Sequence, residues 1–457
     1  MRVTYFFVGL FLVLMGYLVY FNVFKSKDII NSPYNVRLDS MSERVLRGKI
    51  VDKYGNVLAK TEVAEDGTEK RTYPYGCLYA HAVGYDSHGK SGIESVANFD
   101  LLTSNAFFME QIIQEFKEEK NIGNNVITTF DTNIQKAAHD ALGTNKGAVV
   151  VIEVTTGKIL AMVSKPDFDP NAVATEWSSL SKNEDSVLWN RATQGAYAPG
   201  STFKIVTTLA YMRENSNYQN YHYECTGEIS HNGTVIHCAK NRKHGSQDLM
   251  ASFANSCNAS YSEMGLNLNF AKYKKTAEDL LFNTKLPCEL PYAMSKFQLS
   301  KDSDSSEVMM TAIGQGKTQV SPYHMALIAA AIGNGGILME PYMIDSIENY
   351  TGTSIEKNMP KKYAKLMTSS EAAQLKAYMQ AVVESGTATA LKNSQYTVAG
   401  KTGTAEYSSD KEKSHSWFLG FTNVENPEIA ISVVVEGADS SGINAVSIAK
   451  RVLDAYY

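Results

Sequence analysis

The hydrophobic pattern of the chain begins with its most apolar stretch. Residues 3–24, "VTYFFVGLFLVLMGYLVYFNVF", run for 22 positions without a charge. A helix of that length reaches about 33 Å, enough to cross the core of a bilayer. Cleaved signal peptides have shorter apolar stretches and small residues at the cleavage site, whereas large residues end this one. The pattern therefore predicts one uncleaved transmembrane anchor. The charges on either side of this helix give only a weak indication of its orientation in the membrane. The large size of the polar region that follows indicates that this region is the exported part.

Strand-like alternation is concentrated in two parts of the remaining chain. The stretch "GAVVVIEVTTGKILAMVS" consists of two apolar runs joined at Thr155-Thr156-Gly157, which predicts a β-hairpin. Near the end, "TVAGKTGTAEY", "HSWFLGFT" and "EIAISVVVEG" predict three more strands, and "NAVSIAKRVLDAYY" has a helical period. We expect an α/β (α+β) fold in which these five strands form one antiparallel sheet with flanking helices.

The segments between these strands predict the domain organisation. Residues 190–390 alternate helical runs with polar loops, which predicts a helical lobe inserted between the strands and a cleft beside it. Residues 25–45 are polar and predict a stalk, and a mixed segment continues to about residue 123. We therefore divide the chain into an anchor (1–24), a stalk with a small mixed domain (25–123) and a main domain (124–457).

Composition narrows the possible classes of function. With 457 residues, 44% of them hydrophobic and 20% charged, the chain is long enough for two or three globular domains. A net charge of −5 gives no reason to expect a nucleic-acid partner. Five scattered cysteines exclude a disulfide scaffold. Histidines 222, 231, 237 and 244 surround Cys225 and Cys238, but this spacing matches no common zinc site, so we predict no metal and no cofactor.

Candidate chemistry appears first in "APGSTFK", residues 198–204. The residues that follow are helical in pattern, so Ser201 and Lys204 share one face and are one turn apart. A hydroxyl, an amine that can accept its proton and unpaired backbone N–H groups would lie in the same turn. A Ser-x-x-Lys spacing alone is common by chance, and the assignment depends on the rest of the chain.

Two further motifs follow in order: Ser256-Cys257-Asn258 and Lys401-Thr402-Gly403-Thr404. Ser-x-x-Lys, Ser-x-Asn and Lys-Thr-Gly form an ordered set found in penicillin-binding proteins and β-lactamases. The set predicts that Ser201 is acylated, that Lys204 is its base with a pKa lowered by burial and a second cation, and that Ser256 relays a proton. Asn258 would bind the peptide group of the substrate.

The third motif completes this predicted site. Lys401, Thr402 and Thr404 suit a substrate carboxylate, and the N–H groups of Ser201 and Thr404 suit an oxyanion hole. Gly403 would keep the strand bare for the substrate. Strict alternation places both threonines opposite Lys401, so all three can line one site only at a sheet edge or through local twist.

Taken together with their flanking residues, these motifs resemble those of a class B penicillin-binding protein. "NRATQGAYAPGSTFK", "GQGKTQVSPYHMALIAAAIGNGG" and "SHSWFLGF" resemble the signatures of that family. Arg47, Gly48, Ile50 and Asp52 match the Arg-Gly-x-Ile-x-Asp motif of its N-terminal pedestal, here short as in the compact members. The middle residue of the second motif is Cys257, a position that varies in the family.

The resemblance implies the penicillin-binding transpeptidase fold and a membrane-anchored D,D-transpeptidase. Such an enzyme cross-links peptidoglycan stem peptides outside the cytoplasmic membrane and is acylated by β-lactams. The resemblance also implies a polytopic peptidoglycan glycosyltransferase partner of the SEDS type. We expect the pedestal segment "RGKIVDKYG", including Arg47, to contact this partner.

Related classes fit less well. Residues 25–123 are too few for the glycosyltransferase domain of a bifunctional class A enzyme. Glu278 in "TAEDLLFN" lacks the Glu-x-x-Leu-Asn arrangement with which a β-lactamase activates water. A D,D-carboxypeptidase uses the same three motifs, and a scaffold or sensor that is acylated without turnover has the same site. These last two alternatives stay open.

The segment "YECTGEISHNGTVIHCAK" predicts a β-hairpin. The length of its turn decides whether Cys225 and Cys238 are close enough to form a disulfide. A two-residue turn at Asn232-Gly233 pairs His231 with Thr234 and puts Cys225 and Cys238 on a diagonal, too far apart for a disulfide. A four-residue turn pairs Ile229 with Thr234 and brings the cysteines face to face. We favour the four-residue turn and a disulfide.

Overall fold

The structure of the chain, a computed structural model, describes residues 2–21, 41–106, 116–117, 119–406, 414–438 and 442–457. Most of the predicted stalk lies outside these residues. The helices are α1 Arg2–Tyr20, α2 Gly92–Val96, α3 Asn98–Leu101, α4 Thr132–Leu142, α5 Val173–Leu180, α6 Lys204–Glu214, α7 Leu249–Ala254, α8 Asn258–Asn267, α9 Phe270–Asp279, α10 Ser305–Ala312, α11 Pro322–Gly333, α12 Ser369–Glu384 and α13 Ala445–Tyr456.

The strands form one five-stranded sheet, one six-stranded sheet and several two-stranded ribbons. They are β1 Val45–Leu46, β2 Ile50–Val51, β3 Val57–Val63, β4 Glu69–Thr72, β5 Asn121–Ile122, β6 Asn125–Thr128, β7 Gly147–Glu153, β8 Ile159–Lys165, β9 Tyr223–Cys225, β10 Glu228–His231, β11 Thr234–His237, β12 Gly245–Gln247, β13 Ile337–Met339, β14 Ile344–Glu348, β15 Ser354–Lys357, β16 Lys362–Lys365, β17 Val398–Glu406, β18 Ser414–Thr422 and β19 Ile429–Val435.

Helix α1 is the predicted anchor. Its 19 residues have a mean hydropathy of 2.0, and none of them is buried against the rest of the chain. Among the described residues it is the one helix long and apolar enough to cross a membrane. Exposed apolar side chains around the whole helix need an apolar surrounding. The helix therefore fits a single membrane span.

The five-stranded sheet confirms the predicted α/β (α+β) architecture. Its order is β17-β18-β19-β7-β8, and every neighbouring pair is antiparallel. Nearly every residue of β7, β8 and β19 is buried, so helices cover both faces of the sheet. Helix α11 packs on β19 and β7, and α13 packs on β18 and β19 together with α4. Strand β17 lies at the edge, where the third motif needs it.

The six-stranded sheet joins the pedestal to the main domain. Its order is β15-β14-β6-β2-β3-β4. Strand β6 pairs with β2 on one side and with β14 on the other. The predicted boundary at residues 123/124 therefore passes through a continuous sheet, and the division into separate domains stays a prediction.

The Arg-Gly-x-Ile-x-Asp motif of the pedestal is buried structure. Arg47 donates to the Glu94 carboxylate at 2.6 Å, and its side chain is only 9% exposed. A Cβ atom on Gly48 would lie 1.8 Å from the Asn124 carbonyl oxygen, and Ile50 is fully buried. The Asp52 carboxylate accepts hydrogen bonds from the backbone of the following turn. Arg47 itself is therefore mostly occupied within the chain, and the contact of this segment with a partner protein stays a prediction.

The β10–β11 hairpin has the two-residue turn, not the four-residue turn that we favoured. His231 pairs with Thr234, and Asn232 and Gly233 have φ values of 47° and 80°, as this turn requires. Cys225 lies outside the hairpin, because β9 pairs with β12. All five cysteines are free thiols, so the predicted disulfide is wrong.

Candidate active site

Ser201 lies in a tight 3-10 turn, Gly200–Phe203, that leads directly into α6. Gly200 has φ +55°, and its N–H donates to the Gly314 carbonyl at 2.8 Å. A Cβ atom on Gly200 would lie 2.3 Å from the Thr404 carbonyl oxygen, so only glycine allows the turn to approach β17 this closely. The serine is half-buried at this contact.

The turn forms one wall of an open cleft. Strand β17 and the Ser256–Asn258 loop form two other walls, and the hairpin arm β11 and the start of α13 complete it. Six of the eight predicted site residues line the cleft: Ser201, Ser256, Asn258, Thr402, Gly403 and Thr404. The three motifs therefore meet in space as the sequence predicted, and the two lysines lie behind them.

Lys204 is fully buried beneath the cleft. Its Nζ donates to Ser256 O at 2.7 Å, to Ser256 Oγ at 3.1 Å and to Asn258 Oδ1 at 2.8 Å. Burial lowers the pKa of Lys204 to about 7, although the thiols of Cys257 and Cys238 oppose the shift. The sequence predicted contact with Ser201, whereas these three bonds hold the amine against the second motif.

Lys401 is also fully buried, and its Nζ donates to Thr402 O at 3.1 Å. Burial, and secondarily Lys204, lower the pKa of Lys401 well below its ordinary value. Its Nζ lies 5.6 Å from the centre of the Phe253 ring. Burial is thus the largest cause of the lowered pKa of both lysines.

Ser256 and Asn258 are held by the loop between α7 and α8. Ser256 has φ +55°, a left-handed conformation that is unusual for a residue with a side chain and that is found often at functional sites. The Asn258 amide Nδ2 donates to the His237 carbonyl at 3.0 Å, which ties the loop to the end of β11. Asn258 therefore bridges Lys204 and the hairpin arm.

Strand β17 presents its threonines to the cleft because it is the edge strand. Thr402 is half-buried, its Oγ1 lies 2.6 Å from Thr387 Oγ1, and Thr404 is exposed. Gly403 also has a packing role, since a Cβ atom there would lie 2.9 Å from Thr202 Cγ2. Its bare backbone lets the strand pack on the serine turn.

Arg191 and Glu406 are charged residues close to the motifs in the sequence, and their surroundings differ. Arg191 donates to Glu436 at 2.8 Å, and the same carboxylate accepts from the Tyr197 hydroxyl at 2.7 Å. Glu406 is exposed at the rim of the cleft. Thr387 also lines the cleft, and nothing in the sequence around it distinguishes it from any loop threonine.

A group of metal-ligand residues lies directly behind the second motif. Cys225, Cys238, His244 and Cys257 each direct one possible ligand atom to a common point, and these four atoms lie within 4.8 Å of one another. The sequence predicted no metal here, because the spacing of the histidines around Cys225 and Cys238 matches no common zinc site.

Comparisons with known proteins agree with this geometry. The family described as "Penicillin binding protein transpeptidase domain" matches residues 147–454, and "Penicillin binding protein A dimerisation domain" matches residues 47–126. The peptidoglycan D,D-transpeptidase PbpA of Mycolicibacterium smegmatis is 31% identical, over 91% of this chain and 88% of that protein.

Solved structures give the same result. The D,D-transpeptidase domain of an Eggerthella lenta protein matches with a TM-score of 0.81 and 31% identity, over 90% of this chain and 98% of that one. Penicillin-binding protein A of Mycobacterium tuberculosis, in its penicillin G acyl-enzyme complex, matches with a TM-score of 0.81 and 28% identity, over 90% and 99%. The chain therefore belongs to the penicillin-binding protein transpeptidase family, and it is of the class B type that its motifs predicted.

Proposed function

We propose that this chain is a serine-type D,D-transpeptidase that cross-links peptidoglycan stem peptides through an acyl-enzyme on Ser201. One observation carries the proposal: a fully buried lysine, with no carboxylate partner among the described residues, is bonded to Ser256 and Asn258 directly behind a serine in an open cleft. The relatives named above, called D,D-transpeptidases or trapped as a penicillin acyl-enzyme, support the same chemistry.

In the first half-reaction, Ser201 Oγ attacks the carbonyl carbon of the penultimate D-alanine of a donor peptide. The neutral amine of Lys204 accepts the hydroxyl proton, and the Ser201 and Thr404 N–H groups bind the developing oxyanion. The peptide bond breaks, Ser256 Oγ passes a proton to the leaving nitrogen, and terminal D-alanine departs. The second N–H of the Asn258 amide is available for the donor peptide, because only one is used by His237.

In the second half-reaction, the amine of an acceptor stem peptide attacks the ester and releases Ser201. Thr402 and Thr404 bind the terminal carboxylate of the donor during the first half. Lys401 lies behind the strand, where it adds positive potential when protonated. No metal or cofactor takes part in these bond changes.

The proposal also places the chain relative to the membrane. Helix α1 anchors it in the cell membrane, and the pedestal and the transpeptidase domain lie on the extracytoplasmic side, where stem peptides are. The domain division at 25–123 and 124–457 belongs to this proposal, and so does a SEDS-type glycosyltransferase as partner. Since Arg47 is buried, exposed pedestal residues must form that contact.

Labelling tests the acylation. The full-length chain in detergent is incubated with a fluorescent penicillin, and Ser201→Ala is compared with the wild type. We expect labelling of the wild type and none of Ser201→Ala. Ser181→Ala, an exposed serine outside the cleft, is the matched control and keeps full labelling. Equal labelling of Ser201→Ala and the wild type contradicts the assignment.

Product analysis separates the open alternatives. The chain receives a stem pentapeptide ending in D-alanyl-D-alanine, with or without an amine acceptor, and products are identified by mass. A transpeptidase gives the acceptor adduct plus one D-alanine. Tetrapeptide as the sole product, with acceptor present, indicates a D,D-carboxypeptidase. A chain that is labelled by penicillin but forms neither the acceptor adduct nor the tetrapeptide is an acylated scaffold or sensor.

A further inference from the structure

Three thiols and one imidazole form a cluster beside the cleft. Cys225 ends β9, Cys238 follows β11, His244 precedes β12 and Cys257 is the N-cap residue of α8. The cysteines are at most 2% exposed, and His244 is half-buried at the wall of the cleft. The proposed acyl transfer uses none of the four.

The distances between these side chains match the edges of a metal tetrahedron. Cys225 Sγ and Cys238 Sγ are 3.7 Å apart, as are Cys238 Sγ and Cys257 Sγ, and His244 Nδ1 is 3.4 Å from Cys225 Sγ. With Zn–S bonds of about 2.3 Å, two thiolates of a tetrahedral zinc site lie about 3.8 Å apart. A closed set of three cysteines and one histidine is a common structural zinc site.

Backbone donors support the thiolate form that a metal requires. The Ser260 N–H donates to Cys257 Sγ at 3.5 Å, and the Ala259 N–H bonds to Cys238 Sγ. Both donors belong to the first turn of α8, whose free N–H groups favour negative charge. A disulfide, in contrast, would use two of the sulfurs and leave the third thiol and His244 without an equivalent partner.

We propose that Cys225, Cys238, His244 and Cys257 bind one structural Zn²⁺ ion. On binding, the three thiols release their protons to solvent and neutral His244 donates through Nδ1, so the complete site carries one negative charge. The metal cross-links β9, the end of the β10–β11 hairpin and the start of α8. None of this depends on the acyl chemistry of Ser201.

The site also positions the second motif. Cys257 lies between Ser256 and Asn258, the two residues that hold Lys204 Nζ. Cys238 follows His237, whose carbonyl accepts from the Asn258 amide. When Cys238 and Cys257 bind the same ion, Ser256 and Asn258 are held in position as well, and these two residues bond Lys204. In this role Cys257 is a positioning residue and touches no substrate.

Metal analysis tests the site without any activity measurement. The full-length chain is purified in detergent without chelators, and its metals are counted by plasma mass spectrometry. We expect about one zinc per chain, lost in Cys225→Ser and in His244→Ala. Cys288→Ser, a cysteine outside the cluster, is the matched control and keeps the ion. Replacement by Co²⁺ should give the intense absorption of a tetrahedral cobalt thiolate.

Two results overturn the proposal. The first is a chain without metal in which two of the three cysteines are joined in a disulfide or all three are alkylated without reduction. The second is a zinc content that Cys225→Ser and His244→Ala leave unchanged. A chain that unfolds on chelation and refolds only with Zn²⁺ supports the site, because structural zinc contributes folding free energy.

The positioning role has its own readout. Removing Zn²⁺ should lower the rate of penicillin acylation at Ser201 about 10²-fold, since small displacements of reacting groups cost that much. Adding Zn²⁺ back should restore it. A chain that loses zinc but acylates at the original rate overturns the positioning role. If the wild type is never labelled, the proposed function fails while the metal count still decides the site.

Discussion

At the scale of single residues, Lys204 decides what the cleft can do. A lysine with its ordinary pKa is protonated at neutral pH and cannot accept a proton from a serine. Full burial of this lysine lowers its pKa to about 7, and its hydrogen-bond partners among the described residues include no carboxylate. The titratable groups that influence its pKa are Cys257 and Cys238, which oppose the shift. Neutral Lys204 is therefore well populated at physiological pH.

The pKa of Lys204 predicts the pH profile of acylation. Because the neutral amine is the base, the second-order rate constant for a fluorescent penicillin should rise with pH, by about tenfold per unit below pH 7, and level off above it. Lys204→Arg keeps the charge but cannot be deprotonated, so its rate should be lower by about 10²-fold or more on the plateau above pH 7 and should lack the rise with pH. Stopped-flow labelling measures both. An arginine variant with the wild-type rate and profile excludes Lys204 as the base.

The residues of the three motifs could be predicted because each motif is short and ordered along the chain. The hydrogen bonds of Lys204 could not, because they depend on the left-handed conformation of Ser256 and on the loop around it. The cysteine and histidine cluster was missed for a similar reason. Its members approach one another only after β9, β11, β12 and α8 have packed.

At the scale of elements, Arg47 of the pedestal motif forms a buried ion cluster with Glu94 and Arg71, which we call the clamp. The Glu94 carboxylate at α2 accepts from Arg47 at 2.6 Å and from Arg71 of β4 at 2.7 Å, and it is fully buried. Burial opposes the charged form, yet the two arginines hold the pKa of Glu94 below its ordinary value. The clamp joins α2, strand β4 of the six-stranded sheet and the segment between β1 and β2.

Breaking this clamp should destabilise the fold. Glu94→Gln leaves two buried arginines without their anion, and we expect a loss of about 3–5 kcal/mol in the free energy of unfolding. Glu62→Gln on β3, an exposed partner of Lys60, is the matched control and should change little. Chemical denaturation of the full-length chain measures both. A Glu94→Gln loss no larger than that of Glu62→Gln contradicts the clamp.

The same clamp predicts an acid dependence with a definite sign. Because the folded pKa of Glu94 is lower than the unfolded value of about 4.3, its contribution is fully present above that pH. The contribution is lost as pH falls through the folded pKa. The wild-type free energy of unfolding should therefore decline below about pH 4, and Glu94→Gln should lack part of that decline.

The hairpin shows where element prediction succeeded and failed. The Asn232-Gly233 dipeptide carried the correct information, since its two positive φ angles select the two-residue turn. The predicted disulfide favoured the wrong turn, because that prediction rested on Cys225 and Cys238 alone. The structure places Cys257 and His244 beside them.

At the scale of the whole molecule, the parts of the chain share one core. A single cluster of buried residues contains Ile50 and Leu58 from the pedestal and Val150 and Ile431 from the five-stranded sheet. The six-stranded sheet crosses the predicted domain boundary through β6 and β14. Sequence patterns cannot reveal this, because β14 lies far along the chain and its alternation does not say which strand it pairs with. A shared core and sheet favour one cooperative unit.

Tryptophan fluorescence can test this cooperativity, because all three tryptophans lie in the main part of the chain. Trp177 stacks on the pedestal residue His88, so Trp177→Phe leaves Trp189 and Trp417 as probes of the main domain alone. In that background, Glu94→Gln should lower the tryptophan-monitored unfolding midpoint as much as the midpoint from circular dichroism. The reason is that a pedestal defect destabilises a sheet and a core that both parts share. An unchanged tryptophan transition beside an earlier, separate dichroism transition would show that the pedestal unfolds independently, as the division at residue 123 predicts.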